Sequence, residues 1–239
     1  MKIVADLHVH TISSGHAYST IEEYAARAKK IGLKAIAITD HGPAMPGAPH
    51  AYHFQNLGMV PAKLQGVRIY RGIEANVVDA EGNTDLPPEW LTPFEVVMIA
   101  MHPRCGYDDQ GEEKNTAVLL KALERNPGIN VIAHPGNPKY PINVEQTVAA
   151  AREKKVAIEI NNSSFVSRAG SWDKCLLFAK EVKRQDWRVV IGSDSHITAM
   201  LGDFAQALKL IKEAGLSEKH VINTSMGKID KFFLKGRVC

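Results

Sequence analysis

The chain has 239 residues, 45% hydrophobic and 23% charged, which fits a globular protein and argues against a disordered or collagen-like one. Its formal net charge of +3 is spread thinly, with no Lys/Arg run to suggest a nucleic-acid arm, although mild basicity suits an anionic substrate. Cys105, Cys175 and Cys239 lie far apart with no C-x-x-C pair, which argues against a disulfide framework and for a reducing compartment.

The opening Met1-Lys2-Ile3-Val4-Ala5-Asp6 runs straight into a strand pattern without the layout of a signal peptide. No apolar run approaches the ~18 residues of a membrane span, so the expected location is the cytoplasm, with no membrane partner. Ile3-Val4-Ala5 reads as a first strand. A helix from Thr20 to Ile31 follows, capped by Ser19 or Thr20, with Glu22 and Glu23 in its first turn and Gly32 at its C-cap. Ala35 to Thr39 is apolar nearly throughout, as a strand buried on both faces should be. Gly42 to Pro61 reads as an irregular Pro/Gly-rich loop.

Strands are then expected at Val67–Ile73, Phe94–Ala100, Asn130–Ala133, Ala157–Ile160, Arg188–Ile191 and a short Val221–Ile222. Helices are expected near Glu112–Arg125, Val144–Lys154, Ser171–Arg184, Phe204–Ala214 and Met226–Leu234. This alternation is the rhythm of a parallel sheet. With no repeat or linker, residues 1–239 read as a single domain. Periodicity cannot choose between a barrel and a doubly wound open sheet.

Chemistry-bearing residues stand at nearly every strand end. Asp6-Leu7-His8-Val9-His10 is followed by His16, and the second strand ends in Asp40-His41-Gly42. Glu74 ends the third, His102-Pro103 the fourth and His134-Pro135-Gly136 the fifth, while Gly192-Ser193-Asp194-Ser195-His196 follows the seventh. In parallel α/β folds the C-terminal strand ends converge on one face, so these nine ligand-type side chains are expected to gather there. Imidazole and carboxylate without thiolate suit zinc, manganese or iron. His8 and His10 alternate along a strand and point to one face. Glu74 has two oxygens with which to bridge two ions, and such a cluster can activate a water for displacement. Singly, each residue has a plain alternative: a satisfied core histidine, a carboxylate paired with an arginine, or a loop cap.

Taken in order, the elements D-L-H-x-H, T-D-H-G, G-I-E, A-H-P and G-S-D-S-H resemble the PHP (polymerase and histidinol phosphatase) superfamily over essentially the whole chain. The segment Glu159-Ile160-Asn161-Asn162-Ser163-Ser164-Phe165 and the compact size look most like the bacterial YcdX-type phosphatases. The resemblance implies an α/β fold, a distorted (β/α)7 TIM-like barrel, with three divalent metal ions, zinc first and manganese or iron in some relatives. It further implies that His8, His10, Glu74 and Asp194 hold one ion and that Glu74, His102 and His134 hold a second. His16, His41 and His196 would hold the third. Glu74 and Asp194 would act in catalysis through bound metal and water.

Arg104 and Arg168 are candidates to bind phosphate through bidentate hydrogen bonds, with an ordinary surface arginine as the alternative for each. Asn161 and Asn162 are candidates for substrate contact or for holding a turn. Asp40 is a candidate to orient a neighbouring imidazole, or a plain strand-end residue. His50 and His53 are read as entrance residues and not ligands. His220, Trp172 and Trp187 are read as structural, and Gly136 and Gly192 as serving turn geometry. Neither glycine belongs to a nucleotide-binding motif.

The leading functional reading is a metal-dependent phosphatase that hydrolyses a small phosphomonoester by in-line attack of metal-bound hydroxide. A phosphodiesterase or 3′–5′ exonuclease is the near alternative, disfavoured by the lack of a basic and aromatic groove signature, so no nucleic-acid partner is expected. An amidohydrolase-like reaction at carbon would call for a bridging lysine at a strand end, and none stands there. A non-catalytic, metal-stabilised module is the reading from another class, and the full ligand set argues against it.

Overall fold

The structure, a computed structural model, describes residues 1–234; Cys239, and with it the end of the expected 1–239 domain, lies outside the described residues. Its strands are β1 (Ala5–Val9), β2 (Ala35–Ile38), β3 (Lys63–Leu64), β4 (Val67–Asn76), β5 (Val96–Ala100), β6 (Val131–Ile132), β7 (Ala157–Asn161) and β8 (Val189–Gly192). The α-helices are α1 (Ile21–Ile31), α2 (Ala51–Gln55), α3 (Pro88–Leu91), α4 (Glu112–Arg125), α5 (Val144–Lys154), α6 (Ser164–Ser167), α7 (Ser171–Arg184), α8 (Ala205–Glu213) and α9 (Met226–Phe233). Local sequence sets their ends. At α1 the Thr20 side chain accepts from the Glu23 amide while the Glu23 carboxylate accepts from Thr20, a reciprocal cap, and Gly32 closes the helix in the left-handed region at φ 78°.

Seven parallel strands run in the order β1-β2-β4-β5-β6-β7-β8, and short β3 pairs antiparallel with β4 outside this path. The sheet curls into a nearly closed barrel, as a (β/α)7 reading expects. Outward-facing Ile36, Ile38, Ile69, Ile99, Ile158 and Ile191 pack with Tyr24 of α1, Leu119 of α4, Val148 of α5 and Phe178 of α7 in one apolar layer. A second, inner cluster comprises Leu7, Ala35, Ala37, Tyr70, Val96, Met98, Val131, Ala157 and Val190, closed from below by Ile222 and by Ile229 and Phe233 of α9.

The seam between β1 and β8 is joined by other means than a full ladder. At one end Val9 bridges Ser195, with His10 N–H donating to the Ser195 carbonyl at 2.9 Å. At the other, the Asn223 amide donates to the carbonyls of Ala5 (2.9 Å) and Ile191 (2.7 Å) and accepts from Ile191 N–H (3.0 Å). One side chain thus satisfies strand-edge groups that would otherwise be buried unpaired. Asp6 adds a third tie, accepting from Ser193 N–H and Gly202 N–H at 3.0 Å each.

Several sequence expectations need adjusting. The first strand begins later than Ile3 and runs to Val9, and β4 continues to Asn76, so His8 and Glu74 lie within strands. Val221–Ile222 is not a strand. Val221 makes a single bridge to Val189, and Ile222–Thr224 is a 3-10 turn that presents Asn223 to the seam. The Gly42-to-Pro61 stretch contains α2 and a 3-10 turn, Leu57–Met59, anchored by buried Phe54 and Leu57.

Candidate metal centre

Strand alternation builds the site. Along one face of β4 the inward positions are Tyr70, Gly72, Glu74 and Asn76, and from β5 they are Val96, Met98, Ala100 and then His102. β7 offers Ala157, Glu159 and Asn161 in the same sense. In β1 the register with β2 shifts between Asp6 and Val9. This bulge changes the phase of the strand, so that Ala5 and Leu7 fill the lower interior while His8 and His10 still enter the site above them.

The nine predicted ligand residues come together. His8 Nε2 and His10 Nε2 are 3.0 Å apart and lie 3.6 and 3.2 Å from Asp194 Oδ1. Glu74 sits between groups: Oε1 is 2.7 Å from His134 Nε2 and 3.7 Å from His102 Nε2, while Oε2 is 2.8 Å from His41 Nδ1 and 3.5 Å from both His8 and His10. The His16 ring lies 4.9 Å from that of His41 and 5.0 Å from that of His196. Three triads have ligand atoms within 4.8 Å of one another: His8, His10 and Asp194; His10, His41 and His196; and His41, Glu74 and His102. His41 thus reaches both the outer histidines and Glu74.

Two residues of the cluster hold uncommon backbone conformations, His134 at φ 30° and Asp194 at φ 55°. Non-glycine residues there are strained and persist where surroundings over-determine them. The surroundings here are polar and buried. Glu159 Oε1 is 2.7 Å from His8 Nδ1, and its Oε2 accepts from the His134 amide at 2.7 Å. Asn76 Oδ1 is 2.8 Å from His102 Nδ1, and the Asn76 amide is itself held by Asp85. Asp40 takes hydrogen bonds from Thr11 N–H, Thr11 Oγ1 and Ser14 Oγ, and Ser14 Oγ lies 3.4 Å from His10 Nδ1. Asp40 therefore reaches an imidazole through a serine. Asn76, Asp85 and Ser14 escaped the sequence reading, and Glu159 entered it only within a family-like segment, with no role of its own. Glu159 and Asn76 carried a signal, being polar residues two positions before a strand end or at it, on the inward phase.

The fields are strong. Burial alone would lower His8, but Glu159, Glu74 and Asp194 around it hold its pKa well above the usual imidazole value. Burial and the neighbouring His41 bring His10 down to about 3, and burial holds His102 well below its ordinary range despite Glu74. Burial would raise Glu74 and Asp194, yet the histidines around both, with Arg168 beside Asp194, hold them well below the carboxylate range. Glu74 Oε2 and His41 Nδ1 face each other at 2.8 Å, both buried and neither with a hydrogen-bond partner. Orphaned donor atoms of this kind, in a set of buried imidazoles beside ionised carboxylates, are what a divalent cation needs.

A cavity of about 360 Å³ opens over the cluster, lined by His16, His41, His102, Asp194 and His196 below and by Met45, Ser163, Ser167, Arg168 and Met200 at its walls. Arg168 donates from both terminal nitrogens to Asp194 Oδ2 at 3.2 and 3.3 Å. The other two expected substrate contacts do not line this cavity. Arg104 is exposed in a left-handed turn at φ 69°. Asn161 is buried, its amide donating to Glu159 and Asp194 and its oxygen accepting from Ser164, so that it holds site residues in place. Asn162 accepts from the amides of Gln206 and Ala207 at the start of α8.

His50 caps α2, while His53 Nε2 lies 3.8 Å from Asp40. His220 accepts from the Ser217 amide, Trp187 donates to the Val156 carbonyl, and Trp172 stacks near Phe165, as structural readings expect. Gly136 sits in a turn closed by Asn137 N–H donating to the His134 carbonyl at 3.0 Å, whereas Gly192 ends β8 and serves no turn. A Cβ on Gly136 would lie 2.3 Å from Cys175 Sγ, and one on Gly192 2.3 Å from Glu159 Oε1. Among the described residues no helix is long and apolar enough to cross a membrane.

Residues 6–213 match the PHP domain family. A protein named "Probable phosphatase" from Thermoanaerobacter sp. is 48% identical over 233 residues, 97% of this chain and 95% of that one. A second "Probable phosphatase", from Acetivibrio thermocellus, is 47% identical over 232 residues, again 97% and 95% of the two chains. Among solved structures, histidinol phosphate phosphatase from Lactococcus lactis, complexed with zinc, L-histidinol and phosphate, superposes with a TM-score of 0.65. That match covers 89% of this chain and 94% of the other at 19% identity, a likeness of fold.

Proposed function

The chain belongs to the PHP domain family, and from that premise we propose that it is a metal-dependent phosphatase acting on a small phosphomonoester. The observation that carries the reading is the convergence of seven histidines, Glu74 and Asp194 beneath a cavity walled by Arg168. The names of the relatives at 47–48% identity support the same chemistry. We take residues 1–239 as one catalytic domain in a reducing, cytoplasmic setting, which the buried, unbonded Cys105 and Cys175 support.

The donor set fits three divalent ions, with zinc, manganese or iron suited to imidazole and carboxylate ligands. His8, His10, Glu74 and Asp194 would hold the first, Glu74, His102 and His134 the second, and His16, His41 and His196 the third. When bound, such ions supply Lewis-acid charge and an activated water for in-line displacement at phosphorus. Glu74, with one oxygen toward His134 and the other toward His41, would serve as a ligand to two of them. Arg168 lies at the cavity wall with its guanidinium oriented by Asp194, placed to donate to phosphate oxygens as charge builds on them. Met45, Ser163, Ser167 and Met200 line the rest of the cavity wall and would face the alcohol portion of a bound substrate.

The test compares an aryl phosphomonoester, a mononucleotide and an oligonucleotide as substrates. The wild-type chain should hydrolyse the phosphomonoesters, lose activity on chelation and regain it with a divalent ion. Glu74→Ala and His8→Ala should not regain it. A clear preference for the oligonucleotide would replace this reading with the exonuclease one, and full activity in both variants would remove the cluster from catalysis.

A further inference from the structure

A buried carboxylate outside the nine ligand-type residues lies beside them: Glu159. Glu159 is fully enclosed in β7, yet it touches none of the cavity. Its two oxygens go to different strands: Oε1 to His8 Nδ1 of β1 at 2.7 Å, and Oε2 to the backbone N–H of His134, after β6, at 2.7 Å. The same Oε2 accepts from Asn161 Nδ2 at 3.1 Å, and that amide also donates to Asp194 Oδ2 at 3.2 Å, after β8.

We infer that Glu159 is a positioning residue that fixes His8 and His134 directly through its carboxylate and Asp194 through the Asn161 amide, and that Gly192 lacks a side chain so that this carboxylate can reach across the β1–β8 seam. The inference rests on the metal-binding part of the proposed function and extends it. With Nδ1–H donated to Glu159, His8 presents Nε2 to the cluster, where it lies 3.0 Å from His10 Nε2. The bond to the His134 amide pins a residue at φ 30°, a conformation that would otherwise relax and swing the imidazole away from Glu74. At Gly192 a Cβ would come within 2.3 Å of Glu159 Oε1 and 2.7 Å of His8 Cβ, so even alanine would push the pair apart. Because Glu159 joins ligands assigned to two different ions, its loss should weaken more than one position.

The experiment titrates zinc into metal-depleted protein against a chromophoric chelator, and follows the His8 imidazole N–H resonances by NMR in the metal-free state. Glu159→Ala should bind zinc about 10–100-fold more weakly at two positions, and should lose the exchange-protected, downfield His8 Nδ1–H signal. Glu159→Gln can still accept from His8 but sets an amide N–H2 against the His134 N–H. It should keep the His8 signal and recover part of the affinity. Gly192→Ala, which changes no polar group, should weaken zinc as Glu159→Ala does. Should Glu159→Ala fail to fold, the glutamine and Gly192 variants decide alone. Wild-type zinc affinity in any folded variant of Glu159, or an unchanged His8 signal in Glu159→Ala, overturns the inference. A wild-type chain that binds zinc and shows the signal, yet hydrolyses no phosphate ester, would sink the phosphatase reading and leave Glu159 in its place.

Discussion

The barrel interior has two storeys built by the same strands. Below, the inward side chains are Ala35, Ala37, Tyr70, Val96, Met98, Val131, Ala157 and Val190, sealed by Ile229 and Phe233. Above, further along the same strands or just past their ends, they are His41, Glu74, Asn76, His102, Glu159, Asn161 and Asp194, all buried as well. Both storeys are buried; the energetics are opposite. The lower storey is stabilised by removing apolar area from water, at about 25 cal/mol per Å². The upper storey encloses charge, which is unfavourable unless partnered. Stability is therefore built into one storey and chemistry into the other.

If that division holds, substitutions in the two storeys should separate activity from stability. The largest effect is expected at Asp194→Asn, which removes a ligand-type charge and the partner of Arg168. Turnover of an aryl phosphate should fall by about 10²–10³-fold or more, the scale of losing one pre-organised electrostatic contact. The thermal unfolding midpoint of the metal-free protein should fall modestly, since the amide keeps an acceptor for Arg168 but loses the ionised carboxylate that pairs with it and with the cluster histidines. A large loss of stability in that state would blur the division.

Met98→Ala probes the lower storey from beside Glu74, on the same inward face. It should destabilise the fold by about 2–5 kcal/mol in denaturant titration, while kcat at a temperature well below unfolding stays within a few-fold of wild type. A kcat loss matching that of Asp194→Asn would show that the storeys are mechanically coupled.

The smallest effect is expected at the buried thiols. Burial pushes Cys105 and Cys175 up to about 12. Their thiolate fraction should stay negligible up to about pH 9, and reactivity requires the thiolate. Peptide mapping after alkylation at pH 8 should find both unmodified in the native protein and modified in denaturant. Rapid native labelling of Cys175, which packs against Gly136 just after His134, would mean that the wall of the upper storey opens.

Sequence alone was informative where chemistry is carried by residue type at a strand end. His8, His10, Glu74, His102, His134 and Asp194 were legible because parallel strands must deliver their C-terminal ends to one face. So were the capped helix α1 and the βαβ rhythm, since capping and periodicity are local properties. What stayed hidden depends on contacts between distant segments. Asn223 lay just past Val221–Ile222, which read as a strand, because nothing local distinguishes a ladder residue from a side chain that replaces one. Arg104 and Arg168 were equal candidates by type, and only the turn after β5 and the approach of α6 to Asp194 set them apart. Gly192 read as a turn residue because a backbone cleared for a neighbouring carboxylate leaves the same letter as a backbone that must bend. The sequence by itself determined which groups can hold a cation and which end of the barrel they occupy. Only the tertiary structure decided their partners, because the far nitrogen of an imidazole is fixed by whichever strand packs beside it, and that neighbour can lie, as Glu159 does from His8, 151 residues away.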